Sequence, residues 1–269
     1  NERMNNELLE RLELINTLKP ALSRGEFLLY YQPQYWSKDK KIMGFEALVR
    51  WKSERFGMLP PVKFIPLAEE SKLIVSLGYW IMEEAFKFIQ KLCQQGYASL
   101  LVSVNISVVQ LIQKDFAGTV LKMMEAYNIS PQNLEFEITE SAMMESMDSV
   151  LDNIVLLRNK GVRFALDDFG TGFSSLNYLT RLPINTLKID KSFVDNIGKE
   201  KSESIITGSI VEIGRKLGLS IVAEGVETDE QFNYLAKKHC DRIQGFLFSR
   251  PVPENQALRL IEQDDIASA

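Results

Sequence analysis

The chain has 269 residues, of which 45% are hydrophobic and 25% are charged, and its formal net charge is −5. These values are typical of an ordinary globular protein with one large domain or two small ones, and they argue against a disordered or fibrous class. Lysine and arginine are spread along the chain, so no basic surface for duplex nucleic acid or anionic lipid is indicated, although one local site for a phosphorylated small molecule stays open.

The first 25 residues form a predicted amphipathic helix. Leu8, Leu12, Ile15 and Leu18 recur at helical spacing with charged residues between them. We interpret residues 1–25 as a linker helix. The chain begins with Asn, and we therefore expect it to be a piece of a longer protein in which this helix joins an upstream domain.

From residue 26 onward, short apolar, β-branched or aromatic runs alternate with longer segments of helical periodicity. The eight runs predicted as strands are residues 27–34, 42–51, 100–107, 134–141, 162–169, 186–193, 220–227 and 241–248. Eight strands with intervening helices at this chain length predict a TIM-type (β/α)8 barrel of the α/β class. We place this domain at residues 26–262 and a C-terminal tail at residues 263–269.

The first connection is too short for a regular barrel. Only about seven residues, YWSKDKK, separate the first two predicted strands, whereas a parallel crossover needs a dozen or more. The first strand is therefore expected to be antiparallel, which makes the barrel a modified one.

Polar side chains lie within or at the ends of the predicted strands. They are Gln32, Glu46, Asn105, Glu137, Glu140, Asp167, Asp168, Lys188, Asp190, Glu224, Glu227 and Gln244. Taken singly, an acidic residue at a strand end is usually a turn former, a helix cap or a solvated charge. Because the carboxyl ends of barrel strands converge on one mouth, these side chains are expected to meet there. Several carboxylates in one mouth would repel each other unless cations were bound.

Glu46 shows the need for a cation most clearly. It lies inside the apolar run GFEALVRW, with Arg50 four residues further on. A buried and unpaired charge is costly, so Glu46 must reach water or a cation. Carboxylate and amide oxygens favour Mg²⁺ or Mn²⁺ over zinc or copper. The adjacent Asp167 and Asp168 suggest a carboxylate shared by two ions, an arrangement that suits phosphodiester hydrolysis. Lys188, predicted to be buried in its strand, could orient water or balance phosphate charge.

Cysteine and histidine chemistry is limited by composition. Cys93 and Cys240 are far apart and lack CxxC spacing, so we expect two buried small hydrophobes rather than a disulfide or a cysteine-rich metal site. His239 is the single histidine and follows a predicted exposed helix. A Ser-His-Asp triad or a His-rich zinc site is therefore not indicated.

The segment DDFGTGFSSLNYL contains two glycines but lacks the GK[ST] of a P-loop and the GxGxxG of a Rossmann turn. We therefore interpret Gly170 and Gly172 as hinges of a loop over the mouth rather than as a phosphate cradle.

Eight segments occur in the order YYQP, EALVRW, SVNIS, EITES, DDFGTGFSSL, LKIDKSF, AEGVE and QGFLFSRP. This series resembles the EAL domain family of cyclic di-GMP phosphodiesterases, whose triplet stands here as Glu46, Ala47 and Leu48. The resemblance extends from about residue 26 to residue 262 and implies opening of cyclic di-GMP to linear 5′-pGpG by water activated by two Mg²⁺ or Mn²⁺ ions. QGF stands where QGY is common in the family, and KKHCD where a Leu-Gly pair often precedes Cys-Asp.

The resemblance also implies residue roles. The first ion would be held by Glu46, Asn105, Glu137 and Asp167, and the second by Asp167 and Asp168. Lys188 is similar to the lysine that holds the attacking water, Glu224 to the general base and Gln244 to the residue completing the metal and water shell. Gln32, Leu48 and Arg50 are implied as substrate contacts, and Glu140 as the anchor of the DDFGTG loop. A homodimer and an upstream sensor or GGDEF domain are the implied partners.

Two alternatives remain at this stage. A degenerate EAL domain would bind cyclic di-GMP as a receptor without cutting it, and such domains typically lack some of the acidic ligands. A barrel enzyme using Lys188 as a base in metal-assisted enolate chemistry would fit the carboxylates but not the ordered motifs. No signal peptide or apolar stretch of about 20 residues is present, so we expect a cytoplasmic domain, which leaves open a membrane anchor elsewhere in a longer protein.

Overall fold

The computed structural model describes residues 2–170, 179–199 and 201–268, without the side chains of residues 2–10, 145–148, 201–203 and 265–268. Within these ranges the strands are β1 (Phe27–Trp36), β2 (Ile42–Ser53), β3 (Gly57–Leu59), β4 (Leu101–Asn105), β5 (Leu134–Thr139), β6 (Arg163–Phe169), β7 (Thr186–Ile189), β8 (Ser220–Ala223), β9 (Arg242–Ile243) and β10 (Val252–Pro253). The helices are α1 (Glu2–Ala21), α2 (Pro61–Glu70), α3 (Ile74–Gln94), α4 (Val108–Leu111), α5 (Phe116–Ala126), α6 (Glu140–Asn159), α7 (Lys191–Val194), α8 (Lys201–Lys216), α9 (Asp229–Lys237) and α10 (Glu254–Ser268).

Strands β1, β2 and β4 to β9 close into a barrel of eight strands within the described ranges. Strand β1 pairs antiparallel with β2, from Phe27 opposite Trp51 to Tyr35 opposite Ile42. It also pairs antiparallel with β9, which closes the barrel, while the remaining barrel neighbours are parallel. The predicted barrel with an antiparallel first strand is confirmed, because the short link between β1 and β2 permits only a hairpin.

Several predicted strands are too long at their carboxyl ends. Strand β4 ends at Asn105 because Ser107 caps α4, where its hydroxyl accepts a hydrogen bond from the Val109 amide. Strand β7 ends at Ile189 because Asp190 caps α7 in the same way. The residues after these strands therefore begin the next helix, and their polar side chains satisfy free helix amides.

The helices differ in extent from the sequence-based expectation. The helical segment between β3 and β4 is divided into α2 and α3, with Lys72 at a φ of +60° between them. The helix predicted within the first 25 residues is present as α1, whose Leu14, Leu18 and Ala21 are buried, while its role as a linker stays a prediction. Helix α10 passes through residue 262 and continues to Ser268, while the predicted domain limits stay predictions.

The apolar core lies between the outer face of the barrel and the helices. Tyr31 of β1 stacks on Phe88 of α3 with ring centroids 3.9 Å apart, and Phe45 of β2 meets the same ring. On β5, Phe136 packs towards Phe116 of α5. Because side chains alternate along a strand, the neighbours of these aromatic residues point into the barrel. Among those neighbours, Gln32, Glu46 and Glu137 are polar and lie at the candidate site.

The isolated thiols and the imidazole lie apart from this site. Cys240 is buried, but Cys93 is exposed, so the expectation of two buried cysteines is wrong for Cys93. It lies about 100° around α3 from the buried Leu92 and therefore faces solvent. His239 is exposed just after α9. Among the described helices, none is both long and apolar enough to cross a membrane.

Candidate active site

Seven polar side chains from the carboxyl ends of the barrel strands meet at one mouth. Their positions are Glu46 on β2, Asn105 on β4, Glu137 on β5, Asp167 on β6, Lys188 on β7, Glu224 directly after β8 and Gln244 directly after β9. The parallel register of these strands places their carboxyl ends on the same side of the barrel.

Lys188 lies at the centre of this group, and only 1% of its side chain is exposed. Its ammonium forms a hydrogen-bonded ion pair with Glu137 and lies 2.6 Å from Glu224 Oε1. It is 3.2 Å from Asp167 Oδ1 and 3.6 Å from Glu46 Oε2. Burial lowers the pKa of Lys188, but the surrounding carboxylates outweigh burial and hold that pKa well above its ordinary value. Four carboxylates distant in sequence thus surround one cation.

Glu46 is satisfied by amides as well as by Lys188. Asn105 donates to its Oε1 at 2.6 Å, and Gln244 donates to its Oε2 at 2.6 Å. Burial raises the pKa of Glu46, but Lys188 and these two hydrogen bonds bring the pKa below its ordinary value. Arg50 lies elsewhere, since its guanidinium sits over the Tyr30 ring and donates to a backbone carbonyl. The cation beside Glu46 in this structure is therefore Lys188.

A bulge brings the two adjacent aspartates to the mouth together. Consecutive strand residues point to opposite faces, so Asp167 and Asp168 would diverge on a regular strand. The β6–β7 register shifts between Leu166 and Phe169, and Asp168 adopts a φ of +56°. This bulge re-aims the second carboxylate. Oxygens of Asp167, Asp168 and Glu224 consequently lie within 4.8 Å of one another.

The negative charge at the mouth exceeds what Lys188 can balance. Burial and the neighbouring Glu46 raise the pKa of Glu137 well above its ordinary value. Burial also raises the pKa of Asp167, against the opposing effect of Lys188. Burial and Asp167 raise the pKa of Glu224 to about 8 and that of Asp168, with a further contribution from Asp190, to about 6.

One buried carboxylate oxygen at the mouth can accept a further ligand. Glu137 Oε1 is buried and accepts no hydrogen bond from any residue that the structure describes. Buried polar atoms are almost always paired, and carboxylate and amide oxygens are the donors that hard divalent cations prefer. The residues present therefore fit one or more ions such as Mg²⁺ or Mn²⁺.

Glu140 holds the start of the glycine segment. It is the first residue of α6, and its Oε2 accepts a hydrogen bond of 2.8 Å from the Gly170 amide. Gly170 has a φ of +98°, and a Cβ there would lie 2.5 Å from the Phe193 ring, so only glycine fits. Gly172, the second predicted hinge, lies with residues 171–178 outside the described part of the chain.

Two pockets open beside the carboxylates. One of about 820 Å³ is bordered by Leu48, Asn105 and Asp168, and one of about 310 Å³ is bordered by Gln32 and Glu224. Leu48 and Glu46 line both, so the predicted substrate contacts Gln32 and Leu48 lie at the pockets. Pockets of this size accommodate organic ligands.

Sequence reasoning missed several residues at the pockets. Glu69 of α2 accepts a hydrogen bond of 2.6 Å from Ser107 in the larger pocket, and Arg250 lies 4.1 Å from the exposed Phe246 ring beside the smaller one. Glu69 lies on a helix, so a search of strand ends could not find it. Asp190 and Glu227 were among the strand-end residues but serve as a helix cap and as an ion-pair partner of Lys191.

The family model described as the EAL domain matches residues 15–251. The bifunctional diguanylate cyclase/cyclic di-GMP phosphodiesterase MucR of Pseudomonas aeruginosa is 38% identical over 255 residues, which cover 95% of this chain and 37% of MucR. The oxygen sensor protein DosP of Escherichia coli is 43% identical over 253 residues, covering 94% of this chain and 32% of DosP. A solved structure described as PaMucR phosphodiesterase in complex with c-di-GMP is 38% identical, covers 91% of this chain and 99% of that one, and has a TM-score of 0.87.

This chain spans about a third of the length of the two curated relatives. The matched range includes every predicted site residue, from Gln32 to Gln244. The resemblance drawn from the eight ordered motifs is confirmed. The chain belongs to the EAL domain family.

Proposed function

We propose that this domain is a metal-dependent phosphodiesterase that hydrolyses cyclic di-GMP to linear 5′-pGpG with the aid of two Mg²⁺ or Mn²⁺ ions. The observation that carries the proposal is the set of four carboxylates around Lys188. Three of them, Glu46, Glu137 and Asp167, are implied metal ligands, and the fourth, Glu224, is the implied general base. The name of the relative MucR includes cyclic di-GMP phosphodiesterase, and this supports the choice of substrate.

The carboxylate and amide oxygens at the mouth are the ligands that we assign to the two ions. Glu46, Asn105, Glu137 and Asp167 would hold one ion, and Asp167 and Asp168 the other. Bound ions of this kind lower the pKa of water and offset negative charge on a phosphodiester. Carboxylates with raised pKa values would give up their protons when the ions bind.

The remaining groups act on water and substrate directly. Glu224, whose Oε1 lies 2.6 Å from the Lys188 ammonium, would take a proton from the attacking water. Lys188 offers a buried ammonium that can orient that water and favour negative charge at the reacting phosphate. Gln244 donates a hydrogen bond to Glu46 Oε2 and so holds this carboxylate in place at the mouth.

The two pockets support a substrate of dinucleotide size. Their shared wall at Glu46 and Leu48 places the carboxylates between them, so a phosphodiester could lie over the acidic mouth while the bases occupy either side. Arg50, half-buried on β2, offers the positive charge for a second phosphate, and Gln32 offers an amide to a base. A homodimer, an upstream sensor or GGDEF domain and a cytoplasmic location belong to the same proposal.

The test is incubation with cyclic di-GMP and Mg²⁺ or Mn²⁺, followed by chromatography for pGpG. We expect product with either ion, and its loss in EDTA and in Asp167→Asn. Asp195→Asn is the matched control, since Asp195 pairs with Lys191 rather than Lys188. Tight binding of cyclic di-GMP without product would favour the receptor alternative, and undiminished turnover in EDTA would refute the role of metal.

A further inference from the structure

A second layer of buried polar side chains lies beneath the mouth. Each member stands two residues along the chain from Gln32 or from one of the seven mouth residues, so it points into the barrel one step deeper. The layer comprises Gln34, Ser103, Glu135, Thr186 and Arg242. All five are 0–1% exposed, and the sequence-based selection of site residues included none of them.

Arg242 organises this layer. Its Nη1 lies 3.1 Å from Glu135 Oε2 and donates to Gln34 Oε1 at 3.4 Å. Its Nη2 donates to Thr186 Oγ1 at 3.2 Å, and that hydroxyl in turn donates to Glu135 at 2.6 Å. Burial raises the pKa of Glu135, but Arg242 and its other partners bring that pKa below its ordinary value. The guanidinium therefore faces an ionised carboxylate.

The chemistry of arginine gives this network a direction. A guanidinium has only donors, so the atom of Gln34 that faces Arg242 must be the carbonyl Oε1. The Gln34 amide nitrogen must then point the other way, where it donates to Gln244 Oε1 at 2.9 Å. With its oxygen engaged from below, Gln244 turns its own Nε2 to Glu46 Oε2 at 2.6 Å and to Gln32 Oε1 at 3.1 Å.

A reversal of either amide would place like atoms in contact. If Gln244 were turned over, its Oε1 would face the Glu46 carboxylate, and both groups are acceptors only. Such unsatisfied contacts between buried groups are costly. Arg242 thus dictates, through Gln34, which end of Gln244 reaches the mouth.

We propose that Gln34 and Arg242 are positioning residues of the active site, which fix the Gln244 amide with its nitrogen towards Glu46. They touch neither water nor substrate and act only through Gln244. Partners of this outer kind usually change metal affinity or activity about 10- to 100-fold when they are removed. The activity part of the inference rests on the proposed function, whereas the orientation of Gln244 and the affinity for metal do not.

The experiment compares three variants of the full chain. Gln34→Met keeps the volume but removes both hydrogen bonds, and Gln34→Glu keeps the acceptor for Arg242 but removes the donor to Gln244. Thr186→Val is the matched control, because it removes equally buried hydrogen bonds from the same network without touching the path from Arg242 to Gln244. All three should lose several degrees in Tm.

Two measurements separate positioning from stability. In NMR spectra of glutamine-labelled protein, with the Gln244 amide assigned by its loss in Gln244→Leu, this resonance should move in both Gln34 variants and stay in place in Thr186→Val. In calorimetric titration with Mn²⁺ alone, the Kd should rise about 10- to 100-fold in the Gln34 variants, most in Gln34→Glu, and less than threefold in Thr186→Val.

The outcomes are distinct. An unmoved Gln244 amide, or equal losses of Mn²⁺ affinity in the Gln34 and Thr186 variants, would overturn the inference and leave a structural role. If Gln34→Glu does not fold, Gln34→Met against Thr186→Val still decides. A wild-type protein that makes no pGpG while the amide and Mn²⁺ results hold would refute the proposed function and leave the positioning role intact.

Discussion

Raising the pH of the metal-free protein from 5.5 to 8.5 should lower its Tm. Glu224 contributes to this loss, since its folded-state pKa is about 8 whereas its ordinary value is 4.5, and the raised pKa values of Glu137 and Asp167 act in the same direction. Between these values the folded protein binds more protons than the unfolded chain, so the free energy of unfolding falls as the pH rises. The stabilisation is complete below the unfolded pKa and is lost as the pH passes the folded one.

The size of the pKa shift of Glu224 sets how much unfolding free energy is lost. At about 1.4 kcal/mol per pKa unit, the Glu224 shift corresponds to a loss on the order of 4 kcal/mol. Asp168, whose pKa is about 6, adds less because the group is half-buried and screened by solvent. For a domain of this length, the total corresponds to a Tm loss on the order of 10 °C. Glu46 and Glu135, whose pKa values are lowered, act in the opposite direction only below this window.

Thermal unfolding followed by circular dichroism in EDTA measures the slope directly. Glu224→Gln should flatten it, whereas Glu227→Gln, which changes a nearby half-exposed carboxylate paired with Lys191, should not. Adding Mg²⁺ or Mn²⁺ should raise the Tm more at pH 8.5 than at pH 5.5, because binding displaces protons. A Tm that stays level or rises with pH in EDTA would refute the inference that the carboxylates at the mouth carry more negative charge than Lys188 can balance.

Three further changes have defined outcomes. Glu46→Ala should reduce pGpG formation by more than about 100-fold with a far smaller fractional effect on stability, and unchanged turnover would contradict its role as a ligand. Glu224→Gln should slow kcat by about 100- to 10,000-fold while the Kd for cyclic di-GMP stays within a few fold, and an equal loss of binding would argue against a general base. Gly245→Ala should lower the Tm by several degrees, because its Cβ would lie 2.1 Å from the Val226 carbonyl oxygen, whereas Gly118→Ala has nothing within 4 Å and should be neutral or better. Equal Tm values for the two alanine variants would contradict the clash.

The residues of the mouth could be predicted because polar residues mark the carboxyl ends of the apolar strands in the sequence. Glu46, Glu137 and Lys188 interrupt apolar strands, and a barrel brings such positions together whatever their distance along the chain. The bulge at Asp168 was not predictable, because it depends on a backbone φ and on pairing with β7 that no local pattern encodes. Strand lengths were overestimated where capping residues such as Ser107 follow directly.

The deeper layer of polar residues is also marked in the sequence. In β1 the sequence QPQ and in β5 the sequence EFE repeat polar residues at a period of two, which predicts a second inward-facing position on each strand. Their partners could not be inferred, since Arg242 and Glu135 are 107 residues apart and meet only through barrel closure. Long-range pairing of this kind is a property of the folded topology rather than of any segment.

The closure of the barrel by its first and last strands means that the mouth is completed only when the chain has been synthesised through residue 244. Gln244 and its partner Glu46 are separated by 198 residues, so in a nascent chain Glu46 lacks one of its two amide donors until β9 and Gln244 have emerged. Before that moment β1 and β8 each present an open edge, the feature that invites pairing between chains. A product truncated ahead of residue 242 would therefore lack the closed mouth and be prone to aggregate.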